Sequence, residues 1–385
     1  MKIAITASSL LTPMEVVEQP VLGVEDGRIV AVGPRSEISL PDNARHYDFP
    51  DAVLAPGFMD IHIHGGGGHD VMETDGSALA AIERGMLKHG VTSYLATTVT
   101  APLPATLRSL EHLGAAARTR PDEASSSLLG IHLEGPFISH VKRGVHPSEN
   151  LLRPSPNLLR QFHEASGGAI RMLTIAPELE GSLETIAEAT QLGIRSSLGH
   201  SNATFAEANA GIQAGAHHAT HTFNAMRPLD HREPGILGAV LSDDSVTADL
   251  IADGVHVAPS MIKLFLTAKG TERAILITDA ISATDMPDGK YKLGEFVVEV
   301  KGNRCELEGK LAGSVLTLDR AVRNAMRYAS LSLPDSLRLV TLNPARLLGI
   351  TETRGMLAPG RIADVVVLTQ SGEVITTMAA GKFPS

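Results

Sequence analysis

Residues 54–62, Leu54-Ala55-Pro56-Gly57-Phe58-Met59-Asp60-Ile61-His62, form a short apolar run that ends on polar side chains. The pattern recurs at 91–98, 128–134, 170–176, 194–199, 216–221, 246–252 and 274–279. Runs of this length without polar alternation read as strands buried on both faces, as in a parallel sheet. Segments between them, such as 77–89 and 204–214, carry helical spacing. Eight strand–helix units predict an α/β fold, a closed (β/α)8 barrel of the TIM type. An open doubly wound sheet is the alternative.

The flanks read differently. Residues 1–53 alternate short β-like runs with glycine punctuation, as in Gly27-Arg28-Ile29-Val30-Ala31-Val32-Gly33. Ala363–Leu368 and Glu373–Thr377 behave similarly. Neither end makes a stable sheet alone. Together, 1–53 and 355–385 are expected to form a small β-sandwich domain beside a barrel spanning 54–354. Residues 285–312 fit no strand–helix unit and predict an inserted hairpin, with Asp288-Gly289 as its turn.

The chain has 385 residues, 43% apolar and 20% charged, enough for a barrel with an accessory domain. Net charge is −10, and the densest basic cluster is Lys142-Arg143. That argues against nucleic acid, which selects a basic stripe. No apolar run reaches the roughly 18 residues of a spanning helix, so no membrane role is expected. Met1–Leu11 reads as a first strand rather than a signal peptide. Cys305 is the one cysteine, which excludes an intramolecular disulfide and a Cys-rich metal site. It fits a reducing cytoplasm.

Chemistry-bearing residues cluster at the C-terminal ends of the predicted strands, where barrel active sites form. Glu134, His200 and His221 close three of the runs. One carboxylate and two imidazoles suit zinc or ferrous iron with a position left for water; separately satisfied core polar groups are the alternative. His62 and His64 lie two residues apart, so on a strand both face the same side. They either bind a second metal, with Glu134 bridging, or merely shape the site. Asp279 ends Ala274-Ile275-Leu276-Ile277-Thr278. A carboxylate buried there is costly unless paired or functional. It is placed to move a proton between a water and a leaving amine, or else to cap a following helix. No GxxxxGK[ST] loop is present. Arg232, with His146 or His256, is one candidate for binding phosphate; from the residues alone, beside Glu233, it reads first as a surface ion pair.

The Pro56–His64 stretch, with Asn343-Pro344-Ala345 and Gly355–Leu368 near the other end, resembles the amidohydrolase superfamily. Four internal motifs narrow the likeness: His132-Leu133-Glu134-Gly135-Pro136, Leu198–Thr204, Thr220–Met226 and Ala252-Asp253-Gly254-Val255-His256. Together they resemble the N-acetylglucosamine-6-phosphate deacetylases over nearly the whole chain. The resemblance implies hydrolysis of the acetamide of N-acetylglucosamine 6-phosphate. It implies one or two divalent cations per chain (Zn or Fe) on Glu134, His200 and His221, with His62 and His64 available for a second. It implies Asp279 as acid–base, and substrate contacts from Val145, His146, Asn224, Ala225, Arg232, His256, Leu311, Ala312 and Gly313. It also implies a homodimer in which Arg232 crosses the interface.

Some members lack the paired strand-one histidines; this chain keeps them. The fourth run, Ile170–Glu178, lacks the bridging lysine that many superfamily members carry, which argues against cyclic-amide hydrolases. Glu178 reads as a structural carboxylate rather than a ligand. The galacto epimer, N-acetylgalactosamine 6-phosphate, is the alternative substrate, differing at one hydroxyl that the sequence does not resolve. A catalytically dead scaffold is the reading of another class, opposed by the intact ligand set.

Overall fold

The computed structural model describes residues 2–12, 15–38, 43–119, 123–294 and 296–384. Eight parallel strands form one sheet in sequential order: β1 Phe58–Ile63, β2 Val91–Thr98, β3 Ser127–Glu134, β4 Ile170–Ile175, β5 Arg195–Leu198, β6 His218–Ala219, β7 Thr247–Ile251 and β8 Ala274–Ile277. Each lies within or largely within a run read from the sequence. Their residues are almost all buried, because helices cover the outer face and side chains fill the inner one.

The sheet closes between β8 and β1. Ile63 pairs with Ala280 in a parallel bridge, and Asp279 N–H donates to the His62 carbonyl at 3.0 Å. Asp60 staples the same seam: its carboxylate accepts from Thr278 Oγ1 at 2.5 Å and from the His62 amide at 3.2 Å. Burial pushes the Asp60 carboxyl up to about 6 against those hydrogen bonds. The expected helices are present as Gly76–Lys88 and Phe205–Ala214. The second starts in a capping box, Thr204 with Glu207, that satisfies amides at the helix start.

The two chain ends form the expected small β-domain. Its seven strands make one continuous sheet in which Arg45–Pro56 lies parallel to Lys2–Leu11 and antiparallel to Val365–Leu368. A separate core, including Ile5, Leu22, Leu54 and Val367, fills it.

Two expectations need correction. The run 54–62 is not one strand. Leu54–Pro56 completes the long strand of the small sheet, and after Gly57 the chain enters the barrel as β1. Both neighbourhoods are apolar, so composition does not mark the change of sheet. The insert is not a single hairpin but a four-stranded antiparallel meander, Gly289–Leu293, Phe296–Lys301, Arg304–Leu307 and Lys310–Leu311. Gly289 begins its first strand instead of turning. Gly294, Gly302 and Gly309, all at positive φ, stand at the reversals. The meander packs on its own apolar cluster, with Ile281, Leu293, Val298 and Cys305, over the mouth of the barrel.

Candidate active site

A cavity of about 280 Å³ opens at the C-terminal ends of the barrel strands. Of the residues expected at the site, His64, Glu134, Val145, His146, His200, His221, Asn224, Ala225, His256, Asp279, Leu311, Ala312 and Gly313 line it. His62 lies fully buried just behind the wall. Arg232 does not line it: the residue is exposed on a loop, its amide bonded to Asp230 Oδ1 at 2.8 Å. Among the described residues it has no ion pair with Glu233, whose carboxylate instead accepts the Phe205 amide at 3.2 Å. Asp279 is no cap either, since turns follow it and not a helix.

Glu134 stands at the centre. Its Oε1 lies 3.1 Å from His200 Nε2 and 3.0 Å from His221 Nε2, and those two nitrogens are 3.0 Å apart. Its Oε2 lies 3.2 Å from His64 Nε2. That nitrogen is also 3.1 Å from Asp279 Oδ1 and 3.3 Å from His62 Nε2. Two sets of donor atoms result, Glu134/His200/His221 and His62/His64/Asp279, each gathered within 4.8 Å. His62 on β1 and His64 just past its end do turn to the same side, their Nε2 atoms 3.3 Å apart.

Main-chain partners sort these rings. His200 Nδ1 contacts the Lys142 carbonyl at 2.9 Å, and His64 Nδ1 contacts the Thr97 carbonyl at 2.9 Å. A carbonyl only accepts, so both rings carry the proton on Nδ1. Neutral rings then aim Nε2 lone pairs at carboxylate oxygens, a repulsive contact unless a cation or proton intervenes. His146 is oriented the opposite way. The Thr100 amide donates to its Nδ1 at 3.2 Å, with Thr100 Oγ1 at 2.8 Å. The proton therefore sits on His146 Nε2, facing the cavity as a donor. Gly135 permits this packing: at φ +75° its Cβ would lie 2.2 Å from Thr100 Oγ1.

Charge follows the same logic. Burial favours neutral carboxyls, yet the surrounding histidines hold Glu134 well below the usual range and Asp279 down to about 2. Burial also opposes imidazolium, but bonds to Asp279 and Glu134 push His64 well up, and Glu134 pushes His221 up to about 9. Burial drops His200 to about 4. Two ionised carboxylates buried together demand positive charge. A divalent cation among the Nε2 atoms meets that demand without the protons, so the donor set fits a metal.

The backbone is strained where the chemistry gathers. His200, His221 and Asp279 have φ of 46°, 31° and 52°, outside the usual range for such residues. The cavity also uses residues that no sequence motif marked. Thr100 orients His146, and the Lys142 carbonyl orients His200. Thr100 does follow an apolar run, so the strand-end signal that marked the histidines reaches it too. Glu178 is no ligand: it accepts from Ser201 Oγ at 2.7 Å and from the Asn202 amide at 2.6 Å, bracing the loop after His200.

The model of the amidohydrolase family matches residues 53–383. This chain belongs to the amidohydrolase family. Members of that family are typically metal-dependent, in keeping with the Glu/His/Asp cluster. The amidohydrolase is 37% identical to the N-acetylglucosamine-6-phosphate deacetylase of Bacillus subtilis (strain 168) over 97% of this chain and 95% of the relative. It is likewise 37% identical to the N-acetylgalactosamine-6-phosphate deacetylase of Escherichia coli O157:H7, over 98% of both chains. Among solved structures it resembles a mutant N-acetyl-D-glucosamine-6-phosphate deacetylase of Mycobacterium smegmatis in complex with N-acetyl-D-glucosamine-6-phosphate. That likeness has a TM-score of 0.91 at 36% identity and covers 99% of each chain.

Proposed function

We propose that this amidohydrolase removes the acetyl group of N-acetylglucosamine 6-phosphate, releasing acetate and glucosamine 6-phosphate. The observation that carries the reading is the convergence of Glu134, His200 and His221 with Asp279 in one sugar-sized cavity. Relatives of that activity at 37% and 36% identity over nearly full length support it. The galacto epimer is the second reading, because the relative acting on it is equally similar.

Glu134, His200 and His221 would hold zinc or ferrous iron, and His62 and His64 would provide for a second cation. A cation held there would supply Lewis acidity for the amide carbonyl and for the attacking water. Asp279 takes the proton of the attacking water and returns it to the sugar nitrogen as the C–N bond breaks. His146, held as the Nε2–H tautomer by Thr100, donates to the oxygen on which charge develops. Val145, Asn224, Ala225, His256 and the Leu311-Ala312-Gly313 segment position the sugar.

Among the described residues lining the cavity, Lys142 is the one Lys or Arg. The phosphate takes a further cation from Arg232 of a second subunit in a homodimer, the arrangement that the family resemblance implies. Exposed Val141 and Leu229, one beside Lys142 and the other near Arg232, support such a contact. The reading places the enzyme in the cytoplasm, in keeping with its single buried cysteine. No helix among the described residues is long and apolar enough to cross a membrane.

The test is acetate release by metal-reconstituted protein from N-acetylglucosamine 6-phosphate, its galacto epimer and unphosphorylated N-acetylglucosamine, with metal counted per chain. Turnover of the first that disappears with chelator supports the reaction, the substrate and the metal requirement together. Bound metal with no turnover of any sugar overturns the deacetylase reading.

A further inference from the structure

His221 is held unlike its partner ligand. His200 is anchored through its ring, with Nδ1 on the Lys142 carbonyl at 2.9 Å. His221 Nδ1 is buried and has no hydrogen-bond partner among the described residues. The sheet does not hold it either. β6 ends at Ala219, two residues before His221, and the chain then leaves strand geometry with His221 at φ 31°. A ligand whose Nδ1 lacks a partner and whose backbone has left the ladder must have its ring orientation fixed by something else.

The neighbouring strand supplies it. Asp249 of β7 is fully buried. Its carboxylate Oδ1 accepts the His221 amide in a short bond, and its carbonyl accepts the Thr222 amide at 2.9 Å. One residue thus grips two consecutive amides where the pairing ends. The other carboxylate oxygen is also engaged: His218 Nε2 donates to Asp249 Oδ2 at 2.9 Å, while Thr247 Oγ1 lies 2.8 Å from His218 Nδ1. His218 is fully buried as well, and neither it nor Asp249 lines the cavity. A buried carboxylate tolerates its environment only with such partners. Together they fix its rotamer.

We infer that Asp249, locked by His218, is the positioning residue for His221: it sets the metal ligand through the main chain instead of the ring. The inference rests on the reading of Glu134, His200 and His221 as metal ligands. Removing the Asp249 carboxylate frees the His221 amide and lets its imidazole swing from the other two donors. Removing His218 leaves the carboxylate in place but frees it to rotate, a milder version of the same loss.

The test is cobalt(II) binding by the full-length protein, measured by competition with a chromophoric chelator. The visible cobalt spectrum reports ligand geometry. Asp249→Ala and His218→Leu should each weaken cobalt on the order of 10–100-fold, with an altered spectrum, while the metal-free protein remains folded. His218→Gln should recover part of the loss, because its amide nitrogen reaches the place of Nε2. A merely structural pair would lower the melting temperature and leave cobalt affinity and spectrum alone. If Asp249→Ala does not fold, His218→Leu with its Gln rescue decides. Folded variants that bind cobalt within about twofold of wild type overturn the inference, that ratio being far below the effect expected of such support. His221→Ala is the control. If it binds cobalt like wild type, the ligand assignment itself fails, and the inference falls with it for a distinguishable reason.

Discussion

A carboxylate at a barrel strand's end serves as ligand, proton carrier or cap according to what its oxygens meet. Asp279 meets His64 Nε2 at 3.1 Å and His62 Nε2 at 3.6 Å, and its backbone is in the left-handed region. It therefore faces the reacting centre rather than a helix start. Asp279→Asn preserves shape and removes the proton acceptor. It should keep its metal content by elemental analysis while acetate release falls by about 10²–10⁴-fold. An active, metal-loaded Asn variant would eliminate the acid–base role. Glu178 meets no metal donor and instead braces Ser201 and Asn202. Glu178→Ala should destabilise the fold by about 1–3 kcal/mol, seen as a lower melting temperature, with metal per chain unchanged. Loss of metal in that variant would return Glu178 to the ligand set.

At the scale of elements, the strands were legible because burial on both faces leaves uninterrupted apolar runs, and their polar ends pointed to the site. What stayed hidden has a common cause. The change of sheet at Gly57 joins two apolar cores, and the meander's reversals depend on positive-φ glycines that resemble any other turn glycine. The partners of His64 and His200 are main-chain carbonyls of Thr97 and Lys142, which no motif can display. Side-chain ties between distant elements are equally silent. His89 caps helix Gly76–Lys88, with Nε2 2.9 Å from Asp285 and Nδ1 3.2 Å from Asp319. Burial works against its charge, but those two carboxylates win and raise it from 6.5 to about 9. A histidine raised on folding adds stability that is complete below 6.5 and lost as pH climbs through about 9. The melting-temperature gap between wild type and His89→Gln should therefore be widest below pH 6.5 and close as pH passes about 9. A gap that stays constant across that window would show that the clamp is not charged.

At the scale of the whole molecule, net charge and substrate charge conflict. A chain of net charge −10 repels a sugar phosphate at long range, so attraction must come from cations placed locally. Among the described residues, Lys142 is the one Lys or Arg lining the chain's own cavity, and Arg232 stands outside on an exposed loop. If Arg232 completes the neighbour's site, two defects in different subunits can compensate. Asp279→Asn lacks the proton carrier but still presents Arg232. Arg232→Ala lacks the phosphate clamp but keeps its own Asp279. In a mixed dimer, the Arg232→Ala subunit's site has an intact Asp279 and receives Arg232 from the Asp279→Asn subunit, so that site is whole. The other site carries both defects. Random re-association makes half the dimers mixed, so activity at low substrate should recover to about a quarter of wild type from two nearly inactive parents. An Arg232 that serves its own chain, or a monomeric enzyme, gives no recovery, because every Arg232→Ala chain then keeps its defect whatever it is mixed with.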